Sequence, residues 1–209
     1  LEEYYRKKLD FYRNPNQIWL LWSDESYRIT KVLDKMYFNW TMSFHMLSDI
    51  SFGTYGTYMR SSKKLIEHDY INRLRSDFKN RRSESIWFVG DCYSRFRMDF
   101  ALKLSNYFPV NIWGKCTNTV ASLVKNDPKK FLNYKYRNTY KTCERGSICE
   151  NTQFKSFKFY LAFENTNCTD FITEKFWRAL DYDLIPIVIQ PNKKNYEMLA
   201  PENSFIHAE

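Results

Sequence analysis

Short apolar runs alternate along the chain with longer segments of helical spacing. Ile18-Trp19-Leu20-Leu21-Trp22 lies between Pro15 and the polar stretch Ser23-Asp24-Glu25-Ser26. A run of that length bounded by turn formers predicts a buried strand opening into a loop. From Tyr27 to Phe38 the apolar residues Ile29, Val32, Leu33, Met36 and Tyr37 fall at helical intervals. Phe38 to Phe44 reads as another strand, and residues 63 to 80 as a charged helix. Ser85-Ile86-Trp87-Phe88-Val89-Gly90 is a second clear buried strand, followed by a polar loop and a helix from about Arg95 to Tyr107. Pro109 opens the strand Val110-Asn111-Ile112-Trp113. Further strands are predicted over Phe159 to Phe163, Leu184 to Ile189 and Ser204 to His207. Helices over Thr173 to Leu180 and residues 193 to 199 separate them.

From residue 85 onward this is the strand–helix rhythm of a parallel, doubly wound α/β sheet, and the first 60 residues alternate in the same way. The basic stretch between the two is the natural boundary. In such sheets ligands bind beyond the carboxyl ends of the strands. Loops 23–27, 90–97 and 164–174 are therefore the places to look for chemistry.

Composition removes several classes. Aromatic residues make up 19% of the 209 residues, too many for a disordered chain. Five glycines and six prolines exclude collagen-like sequence. No apolar run reaches the roughly 18 residues a membrane helix needs, and no signal-like segment opens the chain. The abrupt ends, Leu1-Glu2-Glu3-Tyr4 and Ser204 to Glu209, suggest a fragment cut at both sides. The formal net charge is +8, yet residues 158 to 209 hold five Lys/Arg against eight Asp/Glu, so the surplus lies upstream. Part of it is the run Arg60, Lys63, Lys64, Arg73, Arg75, Lys79, Arg81 and Arg82. A nucleic-acid patch could look like this. Glu67, Asp69 and Asp77 interrupt it, which favours a solvated helix face. A diffuse positive field also suits an anionic substrate such as a nucleotide sugar.

Cys92, Cys116, Cys143, Cys149 and Cys168 contain no C-x-x-C, which argues against zinc. The spacing of Cys143 and Cys149 permits a local disulfide, and a bond among Cys116, Cys143 and Cys149, foremost Cys143–Cys149, is expected. Sequons at Asn39 and Asn167 with these cysteines tilt toward a lumenal compartment. In loop 164–174 unpaired N–H groups at a helix start attract phosphate. Lys175 in the first helical turn is unusual there, and an anionic ligand would offset its placement. The plain alternative is a solvated lysine, with Glu174 and Arg178 paired at i,i+4. Arg95 and Arg97 stand at a strand–helix junction where a pyrophosphate could be gripped bidentately. Asp24 or Glu25 could serve as a general base across a cleft. Asp181-Tyr182-Asp183 resembles a D-x-D metal motif but sits where turn acids are common. His45, His68 and His207 lack metal-ligand spacing.

Taken in order, Phe163-Glu164-Asn165-Thr166, Asp170 to Leu180, Ile185 to Val188, Asn195-Tyr196-Glu197 and Pro201 to His207 resemble the signature of α1,3-fucosyltransferases (glycosyltransferase family 10). Phe38 to Phe44 with Ser48-Asp49-Ile50 and Tyr55-Gly56, and Trp113-Gly114-Lys115-Cys116, resemble the same family upstream. The resemblance implies a GT-B architecture of two Rossmann-like domains facing a cleft. Residues 1–60 would be a partial acceptor-side domain, 61–84 a basic linker, and 85–209 a C-terminally truncated GDP-fucose-binding domain. It implies inverting transfer of L-fucose from GDP-fucose to a GlcNAc hydroxyl on a core or antennal glycan, with no required cofactor and Mn2+ at most a stimulator. It also implies a Golgi, type II membrane protein with a lumenal catalytic domain and an anchor lying before this sequence. Residue by residue, it makes Glu25 the catalytic base. Arg97 would bind the donor pyrophosphate, with Arg95 as rival, Glu174 the ribose and Lys175 a phosphate. Asn165 and Phe171 belong to the donor loop, Phe171 standing where the family usually has Tyr. Gly90-Asp91 replaces a usual Ser-Asn. Asn39 is the expected glycosylation site, and Asn167, placed inside the donor loop, is expected to stay bare. A catalytically silent glycan- or nucleotide-binding relative is the rival reading. Retention of Glu25, Arg97, Glu174 and Lys175 together argues for the enzyme.

Overall fold

The computed structural model describes residues 14–26, 38–51, 55–59, 68–129 and 142–208. Among them are two sheets, both wholly parallel. The first holds β1 (Leu20–Ser23), β2 (Trp40–Ser43) and β3 (Ile50–Ser51) in that order. The second holds β4 (Arg82–Phe88), β5 (Val110–Trp113), β6 (Phe157–Leu161), β7 (Ile185–Val188) and β8 (Ile206–His207), in the spatial order β5-β4-β6-β7-β8. Parallel neighbours need crossovers rather than hairpins. The helices supply them: α2 (Arg95–Leu104), α3 (Thr117–Asn126), α4 (Ile148–Ser156), α5 (Glu174–Asp181) and α6 (Lys193–Leu199), with α1 (His68–Asn80) ahead of β4.

Successive residues of a strand face opposite sides, so a sheet covered on both faces reads as a continuous apolar run. Strands β4 to β7 do this. Ile86, Tyr160 and Val188 join a core with Phe154 of α4, Phe176 and Ala179 of α5 and Tyr196 of α6. Their neighbours Trp87, Leu161 and Ile187 join a second core with Met98, Ala101 and Leu102 of α2 and Val120 of α3. The result is a three-layer, doubly wound arrangement. The parallel α/β expectation therefore holds for the second sheet, and β5 and α6 fall where the pattern put them. β4 starts at Arg82, ahead of the predicted Ser85, and β6 runs Phe157–Leu161 rather than Phe159 to Phe163. Helices α3 and α4 and the two-residue β3 were not anticipated. The helix read over Tyr27 to Phe38 lies outside the described residues except for Phe38, as do residues 63–67 of the charged helix.

β4 is the strand where the winding reverses: the chain leaves it first to β5 on one side, then to β6 on the other. A crevice opens at such a point, beyond the strand ends. Gly114 shapes its floor. At φ 104° a Cβ there would meet the Val89 carbonyl oxygen at 2.5 Å, so the turn after β5 lies directly on the end of β4.

Candidate functional site

A cleft of about 1020 Å³ occupies this crevice. Phe88, Val89 and Gly90 line it from β4, Gly114 and Lys115 from the turn after β5, and Tyr160 from β6. Glu174, Lys175 and Arg178 enter from α5, Glu150 from α4, and Thr142 to Arg145 from the segment before α4.

The start of α5 is organised by a buried acid. Glu164, 0% exposed, accepts the Thr173 N–H at 2.8 Å, the Thr173 hydroxyl at 2.8 Å and Lys175 Nζ at 3.0 Å. Burial raises its pKa against the opposing pull of Lys175 and Thr173. Gln190 Nε2 donates to its backbone carbonyl. Lys175 is thus aimed by Glu164 and by a 2.7 Å bond to the Thr173 hydroxyl, and is not a solvated lysine. The i,i+4 pair proposed for Glu174 and Arg178 does not form. Arg178 reaches across to Glu150 at 2.6 Å, because that buried carboxylate has no water to turn to. Burial works against the charge of Arg178, and the Glu150 bond outweighs it and raises its pKa. Glu174 keeps two looser contacts, Arg145 at 3.6 Å and Lys175 at 3.7 Å.

Of the predicted donor residues, Glu174 and Lys175 face the cleft together; Arg97, Asn165 and Phe171 do not line it. Arg97 is 3% exposed, donating to the Phe163 carbonyl at 3.2 Å and the Asp91 carbonyl at 2.6 Å. Burial lowers its pKa while Asp91 opposes. Its rival Arg95 is exposed. Phe171 is buried, its ring edge-on to Phe44 and Tyr55. Asn165 is exposed on the loop, and so is Asn167. Of the two placements open to Asn167, blocking the nucleotide or turned outward on its loop, the structure has the outward one. Asn39 is exposed, and its Oδ1 accepts the Trp19 N–H at 2.8 Å.

Glu25 is exposed on the loop after β1. The Tyr55 hydroxyl donates to the carbonyl of its neighbour Asp24, and the Tyr55 ring touches Phe171. One side chain therefore connects the Glu25 loop to loop 164–174. Burial raises the Tyr55 pKa, and the charges of Glu25, Asp24, Glu174 and Glu164 add to the rise. Asp181 and Asp183 lie at the opposite end of the sheet beside Arg81 and Arg82. Among the described residues no three His, Cys, Asp or Glu converge as a metal site.

Two disulfides brace the cleft. Cys143 joins Cys149, and Cys116 joins Cys92 rather than either of those, while Cys168 is a free thiol. Sequence reasoning missed four features: the Cys92–Cys116 bond, the Glu150–Arg178 pair, the role of Glu164, and the cations Lys115 and Arg145. Their partners come from other elements and leave no local pattern. Arg97 did carry a signal, since it shares a helical stripe with Met98, Ala101 and Leu102.

Residues 78–209 match the family model described as glycosyltransferase family 10 (fucosyltransferase) C-term, and residues 2–56 match fucosyltransferase, N-terminal. Alpha-(1,3)-fucosyltransferase fut-6 of Caenorhabditis elegans is 31% identical over 205 residues, covering 96% of this chain and 46% of the relative. Glycoprotein 3-alpha-L-fucosyltransferase A of Drosophila melanogaster is 37% identical over 132 residues, 62% of this chain and 22% of its own. The human 4-galactosyl-N-acetylglucosaminide 3-alpha-L-fucosyltransferase FUT5 is 30% identical over 200 residues, 94% of this chain and 45% of its own. The chain spans less than half the length of each of these relatives. By the family match over most of its length, the chain belongs to glycosyltransferase family 10, the fucosyltransferases.

Proposed function

We propose that the chain carries out inverting transfer of L-fucose from GDP-fucose to a GlcNAc hydroxyl, forming an α1,3 linkage on a protein- or lipid-borne glycan. The observation that carries this reading is the cleft at the winding reversal, where Glu174 and Lys175 open α5 beside Arg178 in a chain of this family. The names of the relatives support the linkage, and that of the human relative supports the acceptor sugar. In this reading Glu25 takes the proton of the acceptor hydroxyl as its oxygen attacks fucose C1. The bond from C1 to the phosphate oxygen breaks, and its electron pair leaves with GDP. Lys175 and the N–H groups opening α5 stabilise that developing charge. Glu174 takes the ribose hydroxyls. Arg97, buried behind the cleft, holds the 90–94 loop to the end of β6, with Asn165 and Phe171 shaping the loop opposite.

The same reading treats the molecule as a GT-B pair, with 1–60 on the acceptor side, 61–84 as linker and 85–209 on the donor side. It places the enzyme in the Golgi lumen behind an N-terminal anchor, where the two disulfides and a glycan at Asn39 belong. The test is GDP-fucose with a panel of antennal and chitobiose-core acceptors, the linkage read by mass spectrometry. Wild type should transfer fucose in α1,3 linkage, and Glu25→Gln should lose on the order of 10²–10⁴-fold in rate while still binding GDP. A wild-type protein that binds donor and acceptor yet transfers nothing would be the silent relative instead. Near wild-type turnover by Glu25→Gln would remove Glu25 as base.

A further inference from the structure

Residues 143–149 form a small ring closed by the Cys143–Cys149 disulfide. The ring turns at Gly146, whose φ of 78° suits a glycine. The Gly146 N–H donates at 2.6 Å to Oε2 of buried Glu150, the same oxygen that receives Arg178. Ser147 caps α4 by accepting the Glu150 N–H at 3.2 Å. The ring is thus tied down by a covalent bond, a capped helix and a buried carboxylate. What it presents at the cleft mouth is Arg145, 68% exposed and 3.6 Å from Glu174 Oε1.

The cleft cations differ in how firmly they are engaged. Lys175 lies 3.0 Å from Glu164 and Arg178 2.6 Å from Glu150, so both charges already face a buried carboxylate. Lys115 makes no ion pair among the described residues, and the one pair of Arg145 is the longer contact to a partly exposed acid. A guanidinium on a fixed arm can meet two phosphate oxygens at once. Holding that arm in advance lowers the ordering cost of binding.

We propose that Arg145 binds the diphosphate of the nucleotide donor, and that the disulfide ring exists to present it. When the donor enters, the guanidinium exchanges Glu174 for phosphate oxygens and leaves that carboxylate to the ribose hydroxyls. The inference rests on reading the cleft as a nucleotide site.

Calorimetric titration of GDP and of guanosine into the full chain tests it, with wild type, Arg145→Ala, the double variant Cys143→Ser/Cys149→Ser, and Lys193→Ala as a remote control. Arg145→Ala changes an exposed side chain and threatens no core packing. It should weaken GDP binding by about tenfold or more, the effect of one lost charge-assisted bond, and leave guanosine affinity unchanged. The double cysteine variant should weaken GDP in the same direction by less, and Lys193→Ala should match wild type. GDP affinity of Arg145→Ala within about twofold of wild type would overturn the proposal. So would an equal loss for guanosine, since the contact would then not be to phosphate. A wild-type protein that binds no GDP would instead sink the nucleotide reading of the cleft, and this proposal with it.

Discussion

Three carboxylates in and behind the cleft look alike in sequence and do different work. Glu164 and Glu150 are buried and take their donors at 2.6 to 3.0 Å, so their acceptor capacity goes to holding α5 and the disulfide ring. Glu174 has contacts of 3.6 and 3.7 Å, and of these three it is the least committed to partners within the protein. Sequence reading singled out Glu174 from its motif but could not rank the three, because burial and pairing across 28 residues have no local signature. A fourth acid gives a pH test. Asp49 accepts the Thr41 N–H at 2.7 Å and the Thr41 hydroxyl at 2.8 Å, and these bonds hold its pKa below the ordinary 3.8. A lowered acid adds stability above its unfolded value and loses it as pH falls through the folded one. Asp49→Asn should therefore be less stable than wild type at neutral pH, with the gap closing below about 3.8. Urea unfolding from pH 7 down to pH 3 reads it; a gap that stays constant across the range would show that the charge of Asp49 contributes nothing.

The strands of the second sheet were legible because burial on both faces writes an unbroken apolar run, as in Ile86-Trp87-Phe88-Val89. Helix α4 was not: of its nine residues only Glu150 and Phe154 are buried, one of them charged, so no apolar stripe shows. Helix α3 buries only Val120 and depends on Cys116 at its N-cap, joined to Cys92 in the loop after β4. That bond and Gly114 fasten the same two strand ends. Gly114→Ala places a Cβ against the Val89 carbonyl in a backbone conformation that disfavours side chains. It should cost about 2 kcal/mol or more in unfolding free energy. Denaturant titration showing a loss below about 0.5 kcal/mol would mean that the turn moves away freely.

The two sheets meet on loop 164–174. The Met46 N–H donates to Asp170 Oδ2 at 3.0 Å, and Asp170 Oδ1 accepts from Asn195 of α6. Phe44 and Tyr55 pack on Phe171, and Gly56 lies against the Trp177 indole so closely that a Cβ would come within 2.3 Å of the ring. Among the described residues, those that line the cleft fall between 88 and 178. Gly56→Ala should press on the Trp177 ring, which does not itself line the cleft, and displace the Glu25 side of the molecule. Turnover should drop by on the order of 10²-fold, as small misplacements of reacting groups do, with GDP affinity unchanged. Parallel loss of GDP affinity would show that the junction shapes the nucleotide cleft as well. The cleft walls come from four stretches of chain, 88–90, 114–115, 142–150 and 160–178. The stretch Asp170 to Leu180, which carries part of the family resemblance, falls almost wholly in the last of these. With the cleft as the proposed nucleotide site, a homologue could keep Phe163 to Leu180 letter for letter and still lose its donor through changes at 115, 145 or 150. Genomic surveys that sort these enzymes by their signature stretch would count such a protein as active.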